Sequence, residues 1–273
     1  MVIKTFKGDE IMRETIIVRG AGDIATGVIQ KLFRSKFNVL ALEIDKPSAI
    51  RRNVSLSEAI YEGEFTVEDV TSKRASSIED VFSIFEEGKV AVLVDNSGDA
   101  IEKVPHIALV DATLCKKNIG TNRSMADITV AVGPGYEASK DVDIVVETNR
   151  GHNLGRLIFE GPASKNTGVP GIIKGYGIER VIYSPVEGEL NIIKDIGSYV
   201  DKGEVICKID GVEVLASLSG IIRGMIREGF YVTKGFKIAD IDPRKEEKRN
   251  CDLISDKARC IGGAVLEAIM YLK

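Results

Sequence analysis

The chain has 273 residues, with 41 acidic against 37 basic side chains and a formal net charge of −4. That balance argues against broad electrostatic binding to nucleic acid or anionic lipid, and no apolar run approaches the roughly 18 residues of a membrane span. With 44% apolar and 29% charged residues, the composition is that of a folded protein of one large or two smaller domains.

Met1 to Arg13 is broken by Lys4, Lys7, Asp9 and Glu10 and has no signal-peptide core, so a cytoplasmic location is expected. Thr15–Arg19 reads as a β-branched strand ending in Gly20-Ala-Gly22. A helical stripe of Ile24, Val28, Ile29 and Leu32 follows, with Asp23 placed to cap it. Residues 38–44 read as a buried strand. The stretch 45–89 is too long for a bare loop, and reads as a helix near 55–61, an extended piece at 64–74 and a helix over 77–87. Further strands are expected at 90–94, 107–110, 128–132 and 144–147. The last two are separated by only residues 133–143, too few for a helical crossover, so they read as antiparallel. Residues 14–150 are thus expected to form a Rossmann-like α/β domain.

Residues 151–178 are rich in glycine and read as a linker or lid. Then the sequence repeats at a constant offset of 32 residues. Gly188, Gly197, Tyr199, Val200, Lys202, Gly203, Ile206, Ile209 and Asp210 recur as Gly220, Gly229, Tyr231, Val232, Lys234, Gly235, Ile238, Ile241 and Asp242. Neither half could bury its apolar face alone. The repeat resembles the barrel-sandwich fold of biotinyl and lipoyl carrier domains, which assigns residues 179–243 to a small all-β barrel-sandwich hybrid. The joining hairpin, residues 210–215, lacks the lysine of an active carrier. Docking or homo-oligomerisation is therefore its expected role. Residues 243–250 read as a charged, solvated connector. The segment 250–273 holds a final helix over 255–272 that packs back on the body. Its Gly262-Gly263 pair is tolerable only against closely packed backbone.

The chemistry-bearing residues cluster at strand ends. Gly20-x-Gly22-x-x-Ala25 follows a strand and opens a helix, and Glu43 ends the next strand. This is the pattern in which a helix N-terminus holds a pyrophosphate and an acid holds a ribose diol, so NAD or another nucleotide is the expected ligand. Asp23 competes for the N–H groups a phosphate would need. Asp111, Lys116 and Asn118, with Asp95, Cys115 and Lys117, extend the candidate site. Arg150 and His152 bring a planar donor fork and a neutral-pH titrating group, and an anionic ligand shared with the Gly20–Gly22 loop is expected. The two histidines and four cysteines have no zinc-ligand spacing, so no metal site is expected.

The segments Val18–Gly27, Ile50–Gly63 and Glu147–Gly155, with Ser255-Asp-Lys-Ala, resemble the YqeB-type family. These are accessory proteins of selenium-dependent molybdenum hydroxylase systems. The resemblance runs over residues 14–272, and the N-terminal part is similar to the Rossmann portion of xanthine dehydrogenase accessory factors. It implies a maturation factor that binds a nucleotide or molybdopterin-type ligand and serves a molybdenum hydroxylase client or other maturation factors, with molybdenum cofactor as a ligand of that client. It implies no particular reacting residues. The alternative from the residues themselves is an NAD-dependent oxidoreductase with a non-carrier barrel.

Overall fold

The computed structural model describes residues 13–168 and 170–273. The reading of the leader over residues 1–12 lies outside them. In the first half, β1 (Thr15–Arg19), α1 (Asp23–Arg34), β2 (Asn38–Glu43), a short α2 (Ala59–Glu62), β3 (Glu64–Val67) and β4 (Val70–Ala75) lead to α3 (Ile78–Glu86) and β5 (Val90–Val94). Then come α4 (Asp99–Lys103), β6 (Ala108–Asp111), β7 (Ile128–Val132), β8 (Glu137–Ala138), β9 (Ile144–Val146), β10 (Leu157–Ile158) and β11 (Gly161–Pro162).

One nine-stranded sheet runs in the order β10-β9-β7-β6-β1-β2-β5-β4-β3. The inner strands are parallel, whereas β3 pairs antiparallel with β4 and β10 antiparallel with β9. Alternation along the strands sends side chains to two cores. Val18, Ala41, Val92 and Val130 pack under α1 and the C-terminal helix, and Ile17, Leu40, Ala91 and Leu109 pack under α3 and α4.

The second half contains β12 (Val181–Tyr183), β13 (Gly188–Ile192), β14 (Tyr199–Val200), β15 (Val205–Ile209), β16 (Val212–Leu215), β17 (Gly220–Met225), β18 (Tyr231–Val232) and β19 (Lys237–Asp242). These build two four-stranded antiparallel sheets, β12-β19-β17-β14 and β16-β15-β13-β18. The repeat is visible in the pairing. β17 of the second half takes β14 of the first, and β13 of the first takes β18 of the second. After a connector, α5 (Asp256–Leu272) returns to the large sheet, capped by Ser255, which accepts from Ala258 N–H.

Three expectations need correction. The class expected was a Rossmann-like sheet followed by a small barrel-sandwich domain. The structure instead has a large mixed sheet, because the 64–74 stretch pairs with itself as the β3–β4 hairpin and extends the sheet edge. The repeat does not close into a barrel of the biotinyl or lipoyl kind: β14 and β18 are two residues each and end their sheets. Finally, β7 and β9 are parallel, Val130 beside Ile144, because a compact loop carrying β8 crosses over without a helix.

The two halves are bound along a seam. Ile50 C=O accepts from Met225 N–H, Arg52 donates to Met225 C=O at 2.8 Å and pairs with Asp195, and Arg227 pairs with Glu58 and Glu62. α5 lies so close to α1 that a Cβ at Gly262 would sit 2.3 Å from Gly27 O. Gly263 meets nothing within 4 Å, and nothing in the structure explains it. Among the described residues no helix is long and apolar enough to cross a membrane.

Candidate functional site

Three hollows lie near the expected site, and they divide its residues. The first, about 340 Å³, sits at the carboxyl ends of β1, β2, β5 and β6 and is lined by Gly20, Gly22, Asp23, Glu43, Asp95 and Cys115 among others. Its glycine loop is already tied down by the protein. Glu43 accepts from Ala21 N–H at 2.7 Å and from Ile44 N–H at 3.0 Å. Gly20 N–H goes to Leu42 C=O, and Ala21 C=O accepts from Ser57 N–H. Burial raises the Glu43 pKa, and the two N–H groups oppose that rise. Asp23 is the first residue of α1, and its carboxylate lies 3.8 Å from Arg51. Asp95 is saturated by Gly98, Asp99 and Ala100 N–H, which holds it below the usual carboxylate range against its burial.

The other strand-end candidates lie outside this hollow. Asp111 is fully buried and bound to Thr113 and Thr121, with Arg19 at 3.6 Å. Lys116 is exposed with φ 62°, and Asn118 serves its own loop through Thr121 C=O and Gly120 N–H. His152 is exposed and lines none of the three hollows. Glu147 organises the neighbouring turn by accepting from Thr148, Asn149 and Ser164 N–H. Arg150 does not line the glycine-loop hollow and forms a two-bond pair with Asp256, at 2.9 and 3.1 Å.

That pair opens onto the second hollow, a cleft of about 600 Å³ at the seam between the halves. Arg150, Arg180, Arg223, Arg244 and Arg259 line it, against only Glu247 and Asp256. Three of the five are committed. Arg150 holds Asp256, buried Arg180 holds Asp240 and the carbonyls of Gly171 and Ile241, and Arg244 holds Asp242 and Glu247. Arg259 bonds the Ile254 carbonyl. Arg223 differs from all of these. It sits on β17 where the register with β19 shifts between Ile222 and Gly224, a bulge of the kind that re-aims a side chain. Among the described residues no carboxylate lies within 4.0 Å of it, and its Nε is buried without a hydrogen-bond partner.

Arg51, behind the cleft wall, has the same defect. Its Nε is buried and unpartnered, while its Nη2 reaches the Leu253 carbonyl at 3.3 Å. Burial first, then the nearby Arg223 charge, lower its pKa. Asp23 answers the Arg51 charge at 3.8 Å, but the two buried Nε donors stay unsatisfied, which is costly unless an acceptor meets them. The first turn of α5 (Asp256, Arg259) reaches the same cleft, adding the positive end of a 17-residue helix. A third hollow of about 260 Å³ shares Arg150 and Gly171 with the cleft.

Sequence reasoning missed Arg51, Arg180, Arg223, Arg244 and Arg259. One signal was available: residues 243–250, taken for a solvated connector, place Arg244, Glu247 and Asn250 in the cleft wall. Among the described residues no group of three His, Cys, Asp or Glu side chains is placed to hold a metal ion.

No family model matches the chain. It is 44% identical over 259 residues to the uncharacterized protein YqeB of Escherichia coli (strain K12), covering 95% of this chain and 48% of that protein. Among solved structures it is compared with the product-bound ectoine utilization protein EutE (DoeB) from Ruegeria pomeroyi. That protein is 12% identical, with a TM-score of 0.26 over 84% of this chain and 85% of the other. An aspartoacylase family protein from Mesorhizobium loti is 9% identical, with a TM-score of 0.26 over 84% and 85%. A succinylglutamate desuccinylase/aspartoacylase from Rhodobacter sphaeroides is 11% identical, with a TM-score of 0.23 over 84% and 85%. At these TM-scores no substrate, metal or activity passes from those proteins to this one.

The geometry corrects the reading of the Gly20–Gly22 loop as a nucleotide site. For the nucleotide the physical reason is local, since Glu43 already occupies the glycine-loop N–H of Ala21. The chain is similar in sequence to YqeB across nearly its whole length, and it spans about half the length of that protein.

Proposed function

We propose that the chain is a binding protein for a small polyanionic metabolite, held in the arginine cleft between the large sheet and the repeat sheets. The observation that carries this reading is Arg223. It is a guanidinium aimed by a β-bulge into a cleft with five arginines and two acids, with its Nε buried and unpaired. A phosphate or carboxylate group bound there satisfies that donor and lowers the repulsion between Arg51 and Arg223. The volume of about 600 Å³ suits a metabolite rather than a lone ion. Arg180 and Arg244, locked by their own acids, supply a pre-organised wall.

Selenium-dependent molybdenum hydroxylase maturation rested on resemblance alone and is not part of this proposal. The oxidoreductase alternative gains no support from the strand-end hollow, whose glycine loop is held by Glu43.

Thermal unfolding with inorganic pyrophosphate tests the reading. A ligand at 100 times its Kd adds about 2.7 kcal/mol of stability. Wild-type protein should therefore gain several degrees in Tm with pyrophosphate and little with chloride at equal ionic strength. Arg223→Gln should show half that gain or less. An equal gain in both proteins would contradict the proposal.

A further inference from the structure

The third hollow adjoins the cleft and has a different character. It is lined by Thr148, Arg150, Ser164, Lys165 and Lys257, and no acidic side chain lines it. Lys257 is in the first turn of α5, next to Asp256 of the cleft wall. It is half-buried, and among the described residues no carboxylate lies within 4.0 Å of its amine. A buried lysine without an ion pair is unusual, because the ammonium loses hydration and gains no partner.

We propose that Lys257 is a reactive amine that forms an imine with the carbonyl group of a small anionic aldehyde or ketone bound across the two hollows. This rests on the reading of the arginine cleft, which would hold the ligand's negative charge. Arg150 and Gly171 line both hollows, so the two openings adjoin, and one ligand spanning them would place its anion in the cleft and its carbonyl at Lys257.

The surroundings favour the neutral, nucleophilic amine. Burial lowers the Lys257 pKa, and the Arg150 charge lowers it further, while Asp23, Glu147 and Asp256 act more weakly the other way. Desolvation and a neighbouring cation are the two devices that make lysine a nucleophile. In the step itself the amine nitrogen bonds to the carbonyl carbon. The carbonyl oxygen then leaves as water with the two hydrogens the amine carried, so neither oxidant nor reductant is consumed. The Thr148 and Ser164 hydroxyls line the hollow in which those protons move.

The experiment uses pyridoxal 5′-phosphate as a phosphorylated aldehyde probe, trapped with cyanoborohydride and mapped by peptide mass spectrometry. Wild-type protein should be labelled at Lys257 at least tenfold faster than at Lys165, an exposed lysine of the same hollow. Pyrophosphate should suppress that labelling. Lys257→Arg should lose the adduct yet still bind pyrophosphate, whereas Arg223→Gln should weaken both. Labelling of Lys257 no faster than Lys165 overturns the reactive amine. Failure of wild-type protein to bind pyrophosphate would instead overturn the cleft reading, and the Lys257 to Lys165 ratio would still decide the amine by itself.

Discussion

The strand-end hollow and the arginine cleft are built on opposite terms. Around the first, each charge has an internal answer: Glu43 takes Ala21 and Ile44 N–H, Asp95 takes three backbone donors, and Asp23 faces Arg51. In the second, cations outnumber acids and the Arg223 Nε has no partner. The hollow that carries a recognisable motif is thus satisfied by its own side chains. The one without a local motif has donors to spare. Polar groups left over after folding point to ligands more reliably than a glycine spacing does.

Four substitutions and one control sharpen or break this contrast. Gly262→Ala should have the largest effect, because its Cβ would meet the Gly27 carbonyl at 2.3 Å and force α5 off α1. A loss of about 3 kcal/mol is expected in urea unfolding, at the upper end of overpacking costs, and polyanion binding should fall with it since α5 lines the cleft. Gly263→Ala, which meets nothing within 4 Å, is the control and should be neutral or slightly stabilising.

Arg223→Gln comes next. Losing a charge-assisted contact of about 1.5–3 kcal/mol should weaken pyrophosphate roughly ten- to hundredfold by calorimetry. Unfolding stability without ligand should stay the same or rise, because a half-buried charge with an unsatisfied Nε is removed.

Glu43→Gln should do the reverse. It removes one acceptor from two backbone donors and should cost about 1–2 kcal/mol of stability while leaving pyrophosphate affinity unchanged. Its pH dependence has a definite sign. The folded-state pKa is raised by burial, so the stabilising contribution is complete below the unfolded value near 4.3 and is lost as pH rises through the folded value. The variant should lack that decline.

The smallest effect is expected for Arg150→Ala. Arg150 holds the Asp256 pKa well below the usual carboxylate range, so the pair stabilises above about pH 4 and is lost on acidification. Both side chains are half or more exposed, which limits the pair to less than about 1 kcal/mol at neutral pH. Acid titration of unfolding should be shallower in the variant.

Much of the fold was legible wherever periodicity is local. The Ile24–Leu32 stripe became α1, Ser77 capped α3 by accepting from Asp80 N–H, and Ser255 began α5. The 32-residue offset announced the exchange of β14 and β18 between the repeat sheets. What stayed hidden depends on pairing at a distance. Nothing within residues 64–74 says that they fold on themselves and extend the large sheet, and nothing within 133–143 says that so short a loop can cross over between parallel strands.

The site shows the same limit. Gly20, Gly22 and Glu43 could be grouped from their spacing, but that Glu43 takes the Ala21 N–H is a tertiary fact. Arg150, Arg180, Arg223 and Arg244 belong to four separate segments and meet only when the repeat sheets dock on the seam at Ile50–Arg52. Arg150 stands out in the sequence by its polar neighbours, but Arg180, Arg223 and Arg244 look like ordinary surface charges there.

The central claim is that the arginine cleft, and not the glycine loop, holds the ligand. Crystals of the wild-type protein soaked in submillimolar tungstate test it most directly, because the anion's anomalous signal locates it without ambiguity. The account predicts a peak within hydrogen-bond distance of Arg223, absent in Arg223→Gln crystals. A peak at the Gly20–Asp23 loop with none in the cleft would contradict it.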